Sequence, residues 1–171
     1  TDDLLGHYTY ILCSDGDLQE PVALGASALA GHWGLSKLIM FYDSNEAQIS
    51  GITNRSDSTN VAAVFEGLNW HVQEIDGHDH EAIRNAIEKA QVIEQPSIII
   101  GNTIMAHGTA NMERDHETHG APLPQEEIDA TKEKLLMPDE KFYVPKECVA
   151  HFQSRFEELR QIGRASCRER V

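Results

Sequence analysis

Apolar, strand-like runs alternate with helix-like stretches along this chain. The spacing of the first two runs constrains the fold more than any other feature. Tyr10-Ile11-Leu12-Cys13 leads into Ser14-Asp15-Gly16-Asp17. Leu38-Ile39-Met40-Phe41 leads into Tyr42-Asp43-Ser44-Asn45, with Asn45 standing 30 positions after Asp15. Two parallel strands joined by one helix need about 30 residues. The spacing therefore predicts an aspartate carboxylate and an asparagine amide close together at the carboxyl ends of neighbouring strands. Oxygen ligands of this kind suit Mg²⁺ or Ca²⁺, and Mg²⁺ usually shares its shell with phosphate oxygens. The expected site holds a diphosphate through a metal.

The remaining pattern extends the same plan. Strands are expected over 8–13, 38–42, 70–75 and 97–100, and helices over 22–31, 61–67, 78–91 and 125–135. A turn is expected over 14–20, and polar loops over 48–59 and 103–124. Fully apolar strands alternating with helices indicate an α/β fold. The expectation is a doubly wound, mostly parallel sheet with helices on both faces. Ligands of such sheets bind beyond the carboxyl ends of the strands. The Asp15 turn, the Asn45 loop and the 103–124 loop all fall at that edge. Cys13 is expected to fill a buried strand position. Residues 1–136 read as one domain, and 137–160 as a linker leading into a partial helix.

The net charge of −14 argues against a nucleic-acid partner, which needs clustered Lys and Arg. It also makes a dication useful, because an anionic cofactor must otherwise approach an acidic protein. No apolar run approaches the ~20 residues needed to span a membrane, and no secretory signal opens the chain. A cytoplasmic location is expected. Cys13, Cys148 and Cys167 form no Cys-x-x-Cys pair, and His78, His80 and His107 lack the spacing of a zinc site. Residues 161–171 resemble the translation of a sequencing-adapter oligonucleotide and are set apart from the fold. The native sequence is expected to continue beyond residue 160.

An Asp-Gly dipeptide alone is most often a plain turn. Here it stands with further segments in a fixed order: Asp17-Leu18-Gln19-Glu20, Leu29-Ala30-Gly31-His32, Phe41-Tyr42-Asp43, Ile49-Ser50-Gly51, Trp70-His71-Val72, Ile75-Asp76-Gly77-His78-Asp79 and His119-Gly120-Ala121-Pro122-Leu123. Together they resemble the transketolase family over roughly residues 5–136. The resemblance implies the thiamine-diphosphate-binding fold, with thiamine diphosphate and Mg²⁺ as cofactors. It implies Asp15, Asn45 and the Ala47 main-chain carbonyl as metal ligands, and the Gly16 backbone against the diphosphate. It further implies Ile49 as an apolar contact to the cofactor rings, and His119 as a catalytic and cofactor-binding residue. Glu20 falls at a position tied to the family's dimer interface, or serves as a helix-start carboxylate favoured by the dipole. Ser14 replaces the family's usual Gly, and Arg114 replaces a small residue.

By the same resemblance the whole protein transfers a two-carbon ketol unit between ketose and aldose phosphates, as a homodimer. The family's upstream histidines and second thiamine-binding domain are missing from this sequence, so the chain by itself is expected to be inactive. Dihydroxyacetone synthase and deoxyxylulose-phosphate synthase share the Asp…Asn pattern and stand as alternatives, as does a non-catalytic interaction domain. A nicotinamide-binding module is disfavoured because no Gly-x-Gly-x-x-Gly follows a strand.

Overall fold

The computed structural model describes residues 6–48 and 51–168. Ile49, expected at the cofactor rings, lies outside the described residues. The chain divides into two compact units, residues 1–131 and 132–171. In the first, strands β1 (Thr9–Ser14), β2 (Leu38–Ser44), β5 (His71–Asp76) and β6 (Ser97–Asn102) form a sheet in the order β1-β2-β6-β5, with every pairing parallel. Helices α1 (Asp15–Leu18), α2 (Pro21–Trp33), α3 (Val61–Gly67), α4 (His80–Val92) and α5 (Gln125–Lys134) join and follow them.

Side chains alternate across the sheet, as the pleat requires. Met40, Tyr42, Ile98 and Ile100 pack with Ala30 of α2, Phe65 of α3 and Trp70 on one face. Ile39 and Ile99 pack with Ala86 and Ala90 of α4 on the other. Helices therefore cover both faces, as expected for a doubly wound sheet. The first face is closed by local fits. The Phe65 and Trp70 rings meet edge to face at 5.2 Å, and Trp70 Nε1 donates to the Ser27 carbonyl at 2.9 Å. Gly31 leaves the space for this approach, since a Cβ there would collide with the Leu68 carbonyl.

Three details differ from the sequence expectation. The 14–20 turn contains a helical turn, α1, because Asp17 Oδ2 accepts hydrogen bonds from both the Ser14 N–H (2.9 Å) and its hydroxyl (3.2 Å). The loop after β2 contains an antiparallel hairpin, β3 (Ala47–Gln48) with β4 (Gly51–Ile52), followed by a 3₁₀ turn, Thr53–Arg55. β1 lies at the sheet edge among the described residues. Cys13 is consequently only half-buried, and Leu12 is 83% exposed.

In the second unit, α6 (Lys146–Arg168) follows a turn tied by Lys132, whose Nζ donates to the Asp139 and Glu140 carbonyls. The helix runs through residues 161–168, the segment set apart on sequence grounds.

Candidate functional site

Parallel pairing sets Ser14 opposite Asp43 and Ser44 opposite Asn102. The strand ends of β1, β2 and β6 thus deliver Asp15, Asn45 and Thr103 to one edge. Asp15 opens α1, and its residue is 6% exposed. Tyr42, one strand over, donates its hydroxyl to Asp15 Oδ1 at 2.9 Å. Asp15 Oδ2 is buried and has no hydrogen-bond partner. A buried carboxylate oxygen left unpaired is costly. Burial pushes the Asp15 pKa up, while the Tyr42 hydroxyl and then Thr53 pull it down. Thr53 Oγ1 is itself buried without a hydrogen bond of good geometry.

Asn45 is held from both sides. Its Nδ2 donates to Asp43 Oδ2 at 3.0 Å, and its Oδ1 accepts from the Ala47 N–H at 3.0 Å. The other Asp43 oxygen accepts from the Thr103 hydroxyl in a short hydrogen bond. Ala47 begins β3, against which α1 packs. Thr53 N–H donates to the Glu46 carbonyl at 3.0 Å, which makes Ala47 opposite Ile52 the next, non-hydrogen-bonded pair. In an antiparallel ladder such a residue turns its carbonyl away from the partner strand. The Ala47 oxygen is therefore left available on the outer side of the hairpin.

The edge is strongly electronegative. Burial, followed by the charges of Asp17, Asp15 and Asp43, pushes the Cys13 thiol up to about 12. Gly16 faces open space, since a Cβ placed on it would touch nothing. Ser14 has φ −128° and ψ −176°, extended backbone that needs no glycine.

His119 follows the 3₁₀ turn His116–Thr118, which packs against β4. The β3–β4 hairpin thus reaches toward α1 through β3 and toward the His119 segment through β4. His119 Nδ1 is buried without a partner. The loop that carries it is anchored by Glu127 of α5, which accepts from the Asn111 N–H (2.7 Å) and Nδ2 (3.0 Å). Arg114 sits at φ +65°, a left-handed conformation that favours glycine. Glu20 is the exposed N-cap of α2 and makes no side-chain capping bond. His78 and His107 stack with centroids 3.9 Å apart, and His78 Nε2 accepts from the Ile104 N–H at 2.8 Å. Both rings have structural work. His80 opens α4, and no cluster of three or more His, Cys, Asp or Glu with metal-binding geometry occurs among the described residues.

Tyr42, Asp43, Thr53 and Thr103 belong to the site, yet sequence reasoning assigned none of them a role. The available signals were that Tyr42 and Asp43 fall between the two ligand candidates at a strand end and belong to the Phe41-Tyr42-Asp43 segment of the resemblance.

Comparison with known proteins adds independent findings. Residues 1–168 match the family described as transketolase, thiamine diphosphate binding domain. The chain is 44% identical over 147 residues to a transketolase of Sinorhizobium medicae, covering 86% of this chain and 21% of that protein. It is 42% identical over 153 residues to the transketolase of Bacillus subtilis, covering 88% and 23%. Among solved structures, transketolase from Campylobacter jejuni superposes with a TM-score of 0.83 at 39% identity, covering 85% of this chain and 23% of that one. A Pichia stipitis transketolase in complex with sedoheptulose 7-phosphate superposes with a TM-score of 0.85 at 35% identity, covering 92% and 24%. The chain spans about a fifth to a quarter of the length of these relatives.

Proposed function

The chain belongs to the transketolase family, as a portion of its thiamine-diphosphate-binding domain, and on that premise we propose that its electronegative strand edge holds the diphosphate of thiamine diphosphate through Mg²⁺. The observation that carries this reading is Asp15 Oδ2, a buried carboxylate oxygen without a well-formed hydrogen bond, with only the Thr53 hydroxyl nearby to lower its pKa. A hard dication accepts such an oxygen, together with amide and main-chain carbonyl oxygens. Asp15, the Asn45 amide oxygen and the Ala47 carbonyl would be the protein ligands. Ca²⁺ accepts the same donors. The residues fit the group, since three oxygens of suitable chemistry stand on adjoining elements and the surrounding carboxylates favour a cation.

Gly16 would let the backbone approach the diphosphate, and Ile49 would pack on the cofactor rings. When bound, the cofactor supplies the electron sink for moving a two-carbon ketol unit between sugar phosphates. His119 would donate to a phosphate oxygen or steady a developing oxyanion, and its unpaired Nδ1 is consistent with a partner supplied from outside the chain. The sugar phosphate in the Pichia stipitis complex supports sugar phosphates as the substrate class.

The whole protein would work as a cytoplasmic homodimer. This chain would need the family's second thiamine-binding domain for turnover and would show none by itself. Leu29 (50% exposed), Val22 (77%) and Trp33 (64%) on one side of α2 support an apolar association surface. Among the described residues no helix is long and apolar enough to cross a membrane. Calorimetric titration of thiamine diphosphate, with Mg²⁺ and then with a chelator, tests the reading. Binding that disappears with chelation is expected. Binding indifferent to the metal would overturn the assignment of Asp15, Asn45 and Ala47.

A further inference from the structure

We propose that Asp43 is a positioning residue whose carboxylate keeps the Asn45 amide turned so that its oxygen, and not its nitrogen, faces the metal position. The inference rests on the metal reading above. An asparagine amide presents an oxygen and an NH₂ group of nearly equal size, and only the oxygen can bind a cation. A half-turn about the last side-chain torsion would put the NH₂ group in its place. Two neighbours of opposite character decide the orientation here. The Ala47 N–H can only donate, and it takes Oδ1 at 3.0 Å. The Asp43 carboxylate can only accept, and it takes Nδ2 at 3.0 Å. A flipped amide would set donor against donor and acceptor against acceptor. The bound oxygen keeps a second lone pair for a metal.

Asp43 is itself fixed from the neighbouring strand. Its Oδ1 accepts from the Thr103 hydroxyl, and the Thr103 N–H donates to the Ser44 carbonyl at 3.1 Å. Thr103 in turn packs against Gly77, where a Cβ would collide with the threonine methyl. The orientation of one amide is thus set by a chain of contacts across β2, β6 and the end of β5. Partners that orient a metal ligand in this way are typically worth 10–100-fold in metal affinity.

The test is calorimetric titration of Mn²⁺ into the full chain in the presence of thiamine diphosphate. Asp43→Ala is expected to weaken Mn²⁺ binding about tenfold or more. Asp43→Asn keeps one oxygen to accept from Asn45, and its NH₂ can donate to the Thr103 hydroxyl, which accepts as well as donates; it should stay close to the unaltered chain. Asn45→Asp makes the two terminal oxygens equivalent, so adding it to Asp43→Ala should recover most of the lost affinity. If the alanine variant does not fold, Asp43→Ser, too short to reach Asn45, replaces it with the same expectations. Unchanged affinity in Asp43→Ala, or a failure of Asn45→Asp to rescue it, would overturn the positioning role. An equal loss in Asp43→Asn would do so too, by showing that charge alone matters. Asp15→Ala separates the two levels. If it leaves Mn²⁺ binding intact, or if the unaltered chain binds none, the metal reading falls and takes this inference with it.

Discussion

The Tyr42 hydroxyl reaches across from β2 to donate to Asp15 Oδ1 at 2.9 Å, and the other oxygen of that carboxylate is buried with no partner. One half of the acid is anchored, and the other is presented. Such half-satisfaction costs stability and is typical of sites that await a ligand.

Removing the anchor should expose its contribution. Tyr42→Phe keeps the ring in the core but removes the one well-formed side-chain hydrogen bond to the Asp15 carboxyl. Loss of a buried partner of this kind costs about 1–3 kcal/mol. It also removes an influence that holds the Asp15 pKa down, so that pKa should rise further. Urea denaturation and a pH series of melting temperatures would measure both effects, and an unchanged midpoint would show the bond to be idle.

Asp15→Asn should separate stability from ligand binding. The folded-state pKa of Asp15 lies above its ordinary value of 3.8, chiefly through burial. For an acid raised on folding, the folded state binds the proton more tightly than the unfolded chain. The metal-free protein therefore loses stability as pH rises from the ordinary value through the folded one. The neutral asparagine should erase that loss and raise the melting temperature at neutral pH, while Mg²⁺-dependent binding disappears. A lower melting temperature in the variant at pH 7 would contradict this account.

Gly31→Ala should be damaging although it adds only one methyl group. The new Cβ would overlap the Leu68 main-chain carbonyl and press on Trp70 at 3.3 Å. Backbone cannot swing aside as a flexible side chain can, so α2 must move off α3. Overpacking of this kind costs about 1–3 kcal/mol. Gly25→Ala, on the same helix with open space around it, serves as the control and should be neutral or slightly stabilising.

Arg114→Gly should stabilise the loop before His119. A non-glycine residue in the left-handed region costs roughly 1–2 kcal/mol. Glycine removes that strain but gives back part of the gain through its freedom in the unfolded chain, about 0.5–1 kcal/mol. A net gain between about 0 and 1.5 kcal/mol is expected from those two terms. Chemical denaturation that showed a clear loss would mean that the arginine side chain holds the loop in place.

Glu127 should make the anchoring of that loop sensitive to acid. Hydrogen bonds from Asn111 hold its carboxyl below the ordinary value of 4.5. For an acid lowered on folding, the stabilisation is complete above the ordinary value and is lost as pH falls through the folded one. Protection of the amides over residues 110–120, taken relative to the unstructured exchange rate at each pH, should fall as pH drops below about 4.5 in the natural chain. In Glu127→Gln that pH dependence should be absent, because the side chain no longer titrates while its amide oxygen still accepts from Asn111.

Much of the architecture can be read locally. The four strands and helices α2 to α5 fall where hydrophobic periodicity places them, because burial on a sheet or helix face repeats every two or 3.6 residues. α1 could not be read this way, since a single helical turn held by Ser14 and Asp17 leaves no periodic signal. The β3–β4 hairpin was equally hidden, because two-residue strands are shorter than any pattern they could carry.

The sequence by itself determined an α/β alternation with a 30-residue step from Asp15 to Asn45, and hence one parallel edge carrying both residues. Only the tertiary structure decided the contacts that give that edge its chemistry. It set the register of Ser14 against Asp43, the reach of Tyr42 to Asp15 and of Thr103 to Asp43, and the direction of the Ala47 carbonyl. It also left β1 at the edge and one Asp15 oxygen without a partner. The physical reason is range. Periodicity is written within a dozen neighbouring residues, whereas these hydrogen bonds join residues 27 and 60 positions apart, and only the packed sheet brings them together.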